Sequence, residues 1–144
     1  MPKKGFACAA VVCATLLGCA TPVAPPVARI NCNTGNCTIP IHVENCIITA
    51  PDVDVFGQSR NLVWEIDQAS SHAGYAFPEL VMHLGVWIKD DPKGQFELPE
   101  RQNDRKFKLH DKNTDAGKGQ FRYGVRVMKG STACPDLDPS IVNH

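Results

Sequence analysis

Seven cysteines, five histidines and one carboxylate-rich turn are the residues of this 144-residue chain best equipped for chemistry. His42, His72, His83, His110 and His144 form no His-x-His or His-x-x-x-His pair, so local spacing builds no imidazole metal site. Ser70-Ser71 precedes His72, but a serine nucleophile needs a strained turn and a partner acid, and neither is readable here. Asp111-Lys112-Asn113-Thr114-Asp115 puts oxygen-bearing side chains on alternate residues, as the opening of a calcium loop does. The pattern then fails. Ala116 stands where that loop needs Gly, and Arg122 where it needs a bidentate Glu. Turn-forming residue types explain the segment more simply. No catalytic residue, metal site or cofactor is assigned.

The N-terminus has a different logic. Lys3 and Lys4 precede an apolar run from Gly5 to Leu17, which Thr21-Pro22 closes, and the first acidic residue is Glu44. A run of 13 residues suits the apolar region of a signal peptide, about 7–15 residues, and falls short of the roughly 20 a spanning helix needs. It ends in Leu16-Leu17-Gly18-Cys19, which resembles the lipobox of bacterial lipoproteins. The resemblance implies cleavage before Cys19, a diacylglyceryl group on its thiol, and acylation (palmitate, for example) of the new N-terminus. More than one chain is needed, because a single acyl chain holds a membrane only marginally. Ala20 stands where enteric lipoproteins retained at the inner membrane carry Asp, so the resemblance implies an outer-membrane protein facing the periplasm.

That processing changes the cysteine count. Cys8 and Cys13 leave with residues 1–18 and Cys19 carries lipid, so Cys32, Cys37, Cys46 and Cys134 remain. Four cysteines allow three pairings. Cys32–Cys37 and Cys46–Cys134 are favoured. The first closes over Asn33-Thr34-Gly35-Asn36, types that accept a tight turn, and the second closes a loop of nearly ninety residues. The longer closure stabilises by roughly 4–5 kcal/mol in the chain-entropy model. Zinc is the rival use of these thiols, but Cys46 and Cys134 have no near partner in sequence and an oxidising compartment favours disulfides. Loss of Lys3 and Lys4 leaves thirteen Lys plus Arg against fifteen Asp plus Glu, a net −2 that gives no reason to expect a nucleic-acid partner.

The elements that must position these residues are strands. Ile39-Ile41-Val43, Val53-Val55, Leu62-Trp64-Ile66, Val86-Ile88, Phe96-Leu98, Phe107-Leu109 and Phe121-Tyr123-Val125-Val127 all recur with period two. Pro51-Asp52, Gly57-Gln58, Asp91-Pro92-Lys93-Gly94 and Asp115-Ala116-Gly117 separate them as turns. The pattern predicts an all-β, disulfide-braced small antiparallel sandwich of about seven strands over 32–144, with 19–31 as a Pro-rich tether. Arg101 to Lys112, dense in charge, reads as a strand with Phe107 and Leu109 inward and a basic face in water; the functional alternative is a binding edge for an acidic partner. Ser71 to Met82 reads as a loop whose apolar side chains cap the core or form an exposed patch.

Asn61-Leu62-Val63-Trp64 and Gly119-Gln120-Phe121-Arg122-Tyr123 are loosely similar to the strands of cupredoxins, an exported sandwich family of this size. The resemblance concerns an immunoglobulin-like or cupredoxin-like fold alone. Val125 occupies the place of the copper thiolate, and no His follows until His144. The functional expectation is a non-enzymatic, lipid-anchored module that contacts an unidentified envelope protein. A small hydrolase inhibitor and a metal-binding or redox domain are the alternatives. Non-reducing peptide mapping of the mature protein should link Cys46 to Cys134; a Cys32–Cys134 or Cys37–Cys134 peptide would overturn the favoured pairing.

Overall fold

The computed structural model describes residues 28–79 and 84–144. Its strands begin with β1 (Arg29–Cys32), β2 (Cys37–Glu44), β3 (Ile47–Thr49), β4 (Asp52–Val55) and β5 (Arg60–Ile66). A short helix, α1 (Gln68–His72), precedes β6 (Tyr75–Ala76), β7 (Val86–Ile88), β8 (Glu100–Arg101) and β9 (Lys106–Asp111). After a 3-10 turn at Asp115–Gly117 come β10 (Gly119–Val125), β11 (Met128–Lys129), β12 (Thr132–Ala133) and β13 (Ser140–Asn143). One sheet has the order β1-β4-β13-β10-β7, a second β3-β2-β5-β9-β8, and a small third sheet β12-β11-β6. The all-β architecture follows from the period-two pattern, and two disulfides brace it.

Alternation decides which faces meet. In β2, Cys37, Ile39, Ile41 and Val43 are buried while Thr38, Pro40, His42 and Glu44 face water. In β5 the buried set is Leu62, Trp64 and Ile66, and in β9 it is Phe107, Leu109 and Asp111. The first sheet answers with Val53, Val55, Phe121, Tyr123, Val125 and Ile141. Trp64 of β5 lies against Tyr123 of β10, ring centroids 5.3 Å apart, and Phe77 packs edge-on to Phe107 at 5.0 Å. Each such side chain contributes about 1.5–3 kcal/mol on burial. Pro40 sits in β2 without cost to the ladder, because β3 pairs only with His42, Val43 and Glu44 and leaves Pro40 at a locally open edge.

Pairing is mixed where antiparallel strands were expected. β1–β4, β4–β13 and β2–β5 are parallel. The reason is that β1 and β2 go to different sheets, so each pairs with a later strand reached by a crossover instead of a hairpin. Two local differences follow from backbone donors. Arg29, Ile30 and Asn31 belong to the first sheet, so the fold takes in the last residues of the expected tether. Phe96-Leu98 is reduced to one isolated bridge, Phe96 to Asp111, with the Glu97 N–H donating to the His110 carbonyl at 3.0 Å. Asp91 takes the N–H groups of Gln95 and Phe96, both at 2.8 Å, Pro99 offers no donor, and Leu98 is 88% exposed.

The four cysteines pair as Cys32–Cys37 and Cys46–Cys134. Cys32 ends β1 and Cys37 begins β2, so this bridge clamps the corner at which the chain changes sheets. Cys46–Cys134 ties the tip of the β2–β3 hairpin to the residue after β12.

On the outer face of the first sheet, Trp87 lies opposite Gly124 in register, with the Arg126 guanidinium 5.4 Å from its ring centroid. A Cβ on Gly124 would stand 2.1 Å from Trp87 Cζ2. Gly124→Ala should therefore displace the indole and cost about 1–3 kcal/mol. Urea unfolding would measure the loss, and a red-shifted Trp emission would report the moved ring.

Candidate functional site

The carboxylate-rich turn is split by the fold. Asp111 ends β9 on its inner face and is fully buried, and Asn113, at a left-handed φ of 40°, turns back beneath it. Asp115 points into water and pairs with Lys118 at 3.3 Å. Asp111 Oδ1 accepts from the Asn113 backbone N–H at 2.9 Å and from Asn143 Nδ2 of β13 at 3.1 Å. The second bond crosses from one sheet to the other. Asn113 Nδ2 donates to the Gly57 carbonyl at 2.7 Å. Beside it, buried Gln95 Oε1 accepts from both the N–H and the hydroxyl of Thr114 at 3.0 Å, in space that exists because residue 117 is Gly. Burial pushes the Asp111 carboxyl up to about 6, against the opposing pull of the Asn113 and Asn143 hydrogen bonds. This interior polar cluster is the candidate site.

The histidines do not join it in a common centre. His42 Nδ1 lies 2.6 Å from Asp67 on the outer face of the second sheet. Asp67 caps α1 through the Ser70 N–H at 2.7 Å, and Ser70 Oγ accepts from the Val43 N–H at 2.7 Å. The serine is thus engaged with backbone, and no hydrogen bond joins it to His42 or His72. His72 is exposed at the end of α1, His110 contacts Asn61 at 3.2 Å, and His83 lies outside the described residues, as does Cys19. Among the described residues no group of three or more His, Cys, Asp or Glu is placed to hold a metal. Val125 is buried in the core and Cys134 is in a disulfide, so neither the thiolate position nor that cysteine offers a copper ligand.

The basic strand is partly neutralised. Glu65 of β5 takes Lys106 at 3.3 Å and Arg105 at 3.7 Å. Of the Ser71–Met82 segment, Tyr75 and Phe77 are core residues; Leu80, Val81 and Met82 lie outside the described residues. An open cleft of about 430 Å³ runs beside Phe77, with Glu79, Arg101, Asp104 and Met128 on its walls.

The sequence reading missed one network altogether. Asp54, on the outer face of β4, accepts from Arg29 Nη1 at 2.9 Å and lies 2.9 Å from His144 Nε2, whose ring stacks on Phe56 at 4.3 Å. These partners are 25 and 90 residues away, and no local motif announces them. Asn143 was also missed, although an amide ending the apolar run Ile141-Val142 was a usable signal. No protein-family model matches the sequence, and no curated protein is similar to it at a significant level.

Burial alone would raise the Asp54 carboxyl, but the hydrogen bonds from His144 and Arg29 outweigh it and hold the group below its ordinary value. The folded state therefore binds fewer protons than the unfolded chain near pH 4. This contribution is complete above the ordinary Asp value of about 3.9 and is lost as pH falls through the lower folded value. Arg29 is half exposed, so Arg29→Ala should cost no more than about 1 kcal/mol at pH 7. The difference between variant and wild type should narrow in unfolding curves as pH is taken progressively below the ordinary Asp value.

Proposed function

We propose that the mature protein is lipid-anchored at Cys19 in the outer membrane, faces the periplasm, and works by contact with another envelope protein instead of by catalysis. The observation that carries this reading is the short distance between anchor and fold. β1 starts at Arg29, ten residues after Cys19, so even a fully extended link reaches only about 35 Å. A domain held that close meets membrane-apposed proteins at high effective concentration.

The use of the reactive side chains supports it further. Ser70, Asp67, Asp91 and the His144–Asp54 pair are engaged in caps, turns and strand-end contacts. The apolar side chain best held for contact is Ile47, 68% exposed on the β2–β3 hairpin. Its tip, Asn45-Cys46, is fixed by the bridge to Cys134 and by the Cys46 N–H donating to the Tyr75 hydroxyl at 3.0 Å. A rigid tip loses little freedom on binding. The same braced hairpin favours one second reading, insertion into the cleft of a hydrolase as an inhibitor.

Fractionation of cells and photo-crosslinking at position 47 test both readings. Wild-type protein should sediment with outer membranes, whereas Cys19→Ser, which can be neither acylated nor cleaved by this route, should leave that fraction and run at the size of the uncleaved precursor. Recovery of the wild type as a soluble periplasmic protein would overturn the anchor. A crosslinker at position 47 should give a discrete adduct with one envelope protein. A hydrolase in that adduct would select the inhibitor reading, and no adduct at all would remove this hairpin as the contact.

A further inference from the structure

We propose that Asp111 Oδ2, Asn113 Oδ1 and Asn143 Oδ1 bind a monovalent hard cation, sodium in the first instance, inside the interior polar cluster. All three atoms are buried and have no hydrogen-bond partner among the described residues, and their residues are 0%, 6% and 3% exposed. Native interiors leave few such atoms. Here three belong to one hydrogen-bonded group.

The atoms left over are all acceptors. Asn143 Nδ2 is spent on Asp111 Oδ1 and Asn113 Nδ2 on the Gly57 carbonyl. Flipping either amide would set an oxygen against the carboxylate or against that carbonyl, so these bonds fix which end is free. The site therefore requires a positive centre or donors. The neighbouring cationic side chains are turned elsewhere: Lys112 Nζ to the Gly94 carbonyl, Arg60 to the Phe56 and Asn33 carbonyls, Lys118 to Asp115. His110 is held by Asn61, and Asp91 is engaged by the Gln95 and Phe96 N–H groups.

Charge selects the valence. One carboxylate with two neutral amides is balanced by a single positive charge, whereas a divalent ion would bring an uncompensated charge into a dry interior. Oxygen donors without thiolate or imidazole disfavour the softer transition metals. A single water offers two donors for three acceptors and leaves the carboxylate charge unbalanced. The ligands come from the end of β9, the turn after it and β13, so the site forms only with both sheets in place and a bound ion must stabilise the folded state by mass action.

The test is thermal unfolding of the mature protein in detergent at pH 8 and constant ionic strength. Sodium chloride is titrated against N-methylglucamine chloride, with calcium chloride as a parallel series. The midpoint should climb by roughly 4–8 °C per tenfold rise in sodium once the site fills. Asp111→Asn should have one midpoint in every salt, and sodium-23 NMR should show line broadening by wild type that the variant lacks. A wild-type midpoint equal in sodium and N-methylglucamine would overturn the site and assign the three oxygens to water or to a protonated Asp111. A rise with calcium but none with sodium would overturn the monovalent assignment. Should Asp111→Asn fail to fold, the wild-type salt series decides alone.

Discussion

The contact between Trp64 and Tyr123 is the one on which the remaining structure depends. These are the two largest fully buried side chains among the described residues. Trp64 comes from the middle strand of the second sheet and Tyr123 from β10, the neighbour of the first sheet's middle strand, and together they fix how the sheets face each other. The Tyr123 hydroxyl reaches the Pro51 carbonyl at 2.9 Å, just before β4, so the ring also locates the point where the chain returns to the first sheet. With the sheets seated there, Phe77 meets Phe107 and Phe96 meets Phe121 on either flank. The disulfides and polar bridges then trim a geometry that aromatic burial has set.

The class of fold was legible because half-buried strands write a period of two directly into residue type. Ile39-Ile41-Val43 and Leu62-Trp64-Ile66 are the plainest cases, and their buried faces are the ones the alternation indicates. Strand direction was not legible, since the same alternation serves parallel and antiparallel neighbours equally well. What decides it is which sheet β1 and β2 each join, a choice made by contacts far apart in sequence. Phe96-Leu98 misled for a complementary reason. Its residue types alternate, but Asp91 takes the Gln95 and Phe96 N–H groups and Pro99 has none to give, so its pairing with β9 stops at a single bridge.

The candidate site was half legible. Asp111 and Asn113 stood out as oxygen-bearing residues on alternate positions, and Asp115, in the same series, turned out to face solvent. Asn143 comes from the far end of the chain, and nothing in the spacing connects it to Asp111. The cluster also departs from the apolar middle of the sandwich in its energetics. Polar side chains fully bonded in an interior specify one register, while those left short of partners cost stability. Placing Asp111 at the end of β9, opposite the end of β13, confines that cost to one end of the molecule.

The corner bridge between Cys32 and Cys37 also has a mechanical meaning. Tension applied to the chain ahead of Ala28 enters through β1, an edge strand held on one side only, by its parallel pairing with β4. Such a strand can peel away one residue at a time. Peeling would stop at Cys32, where the covalent link hands the force to Cys37 at the start of β2, a strand flanked by β3 and β5. The domain could thus be tugged from its N-terminal end, losing four residues of sheet, while its two faces stayed closed.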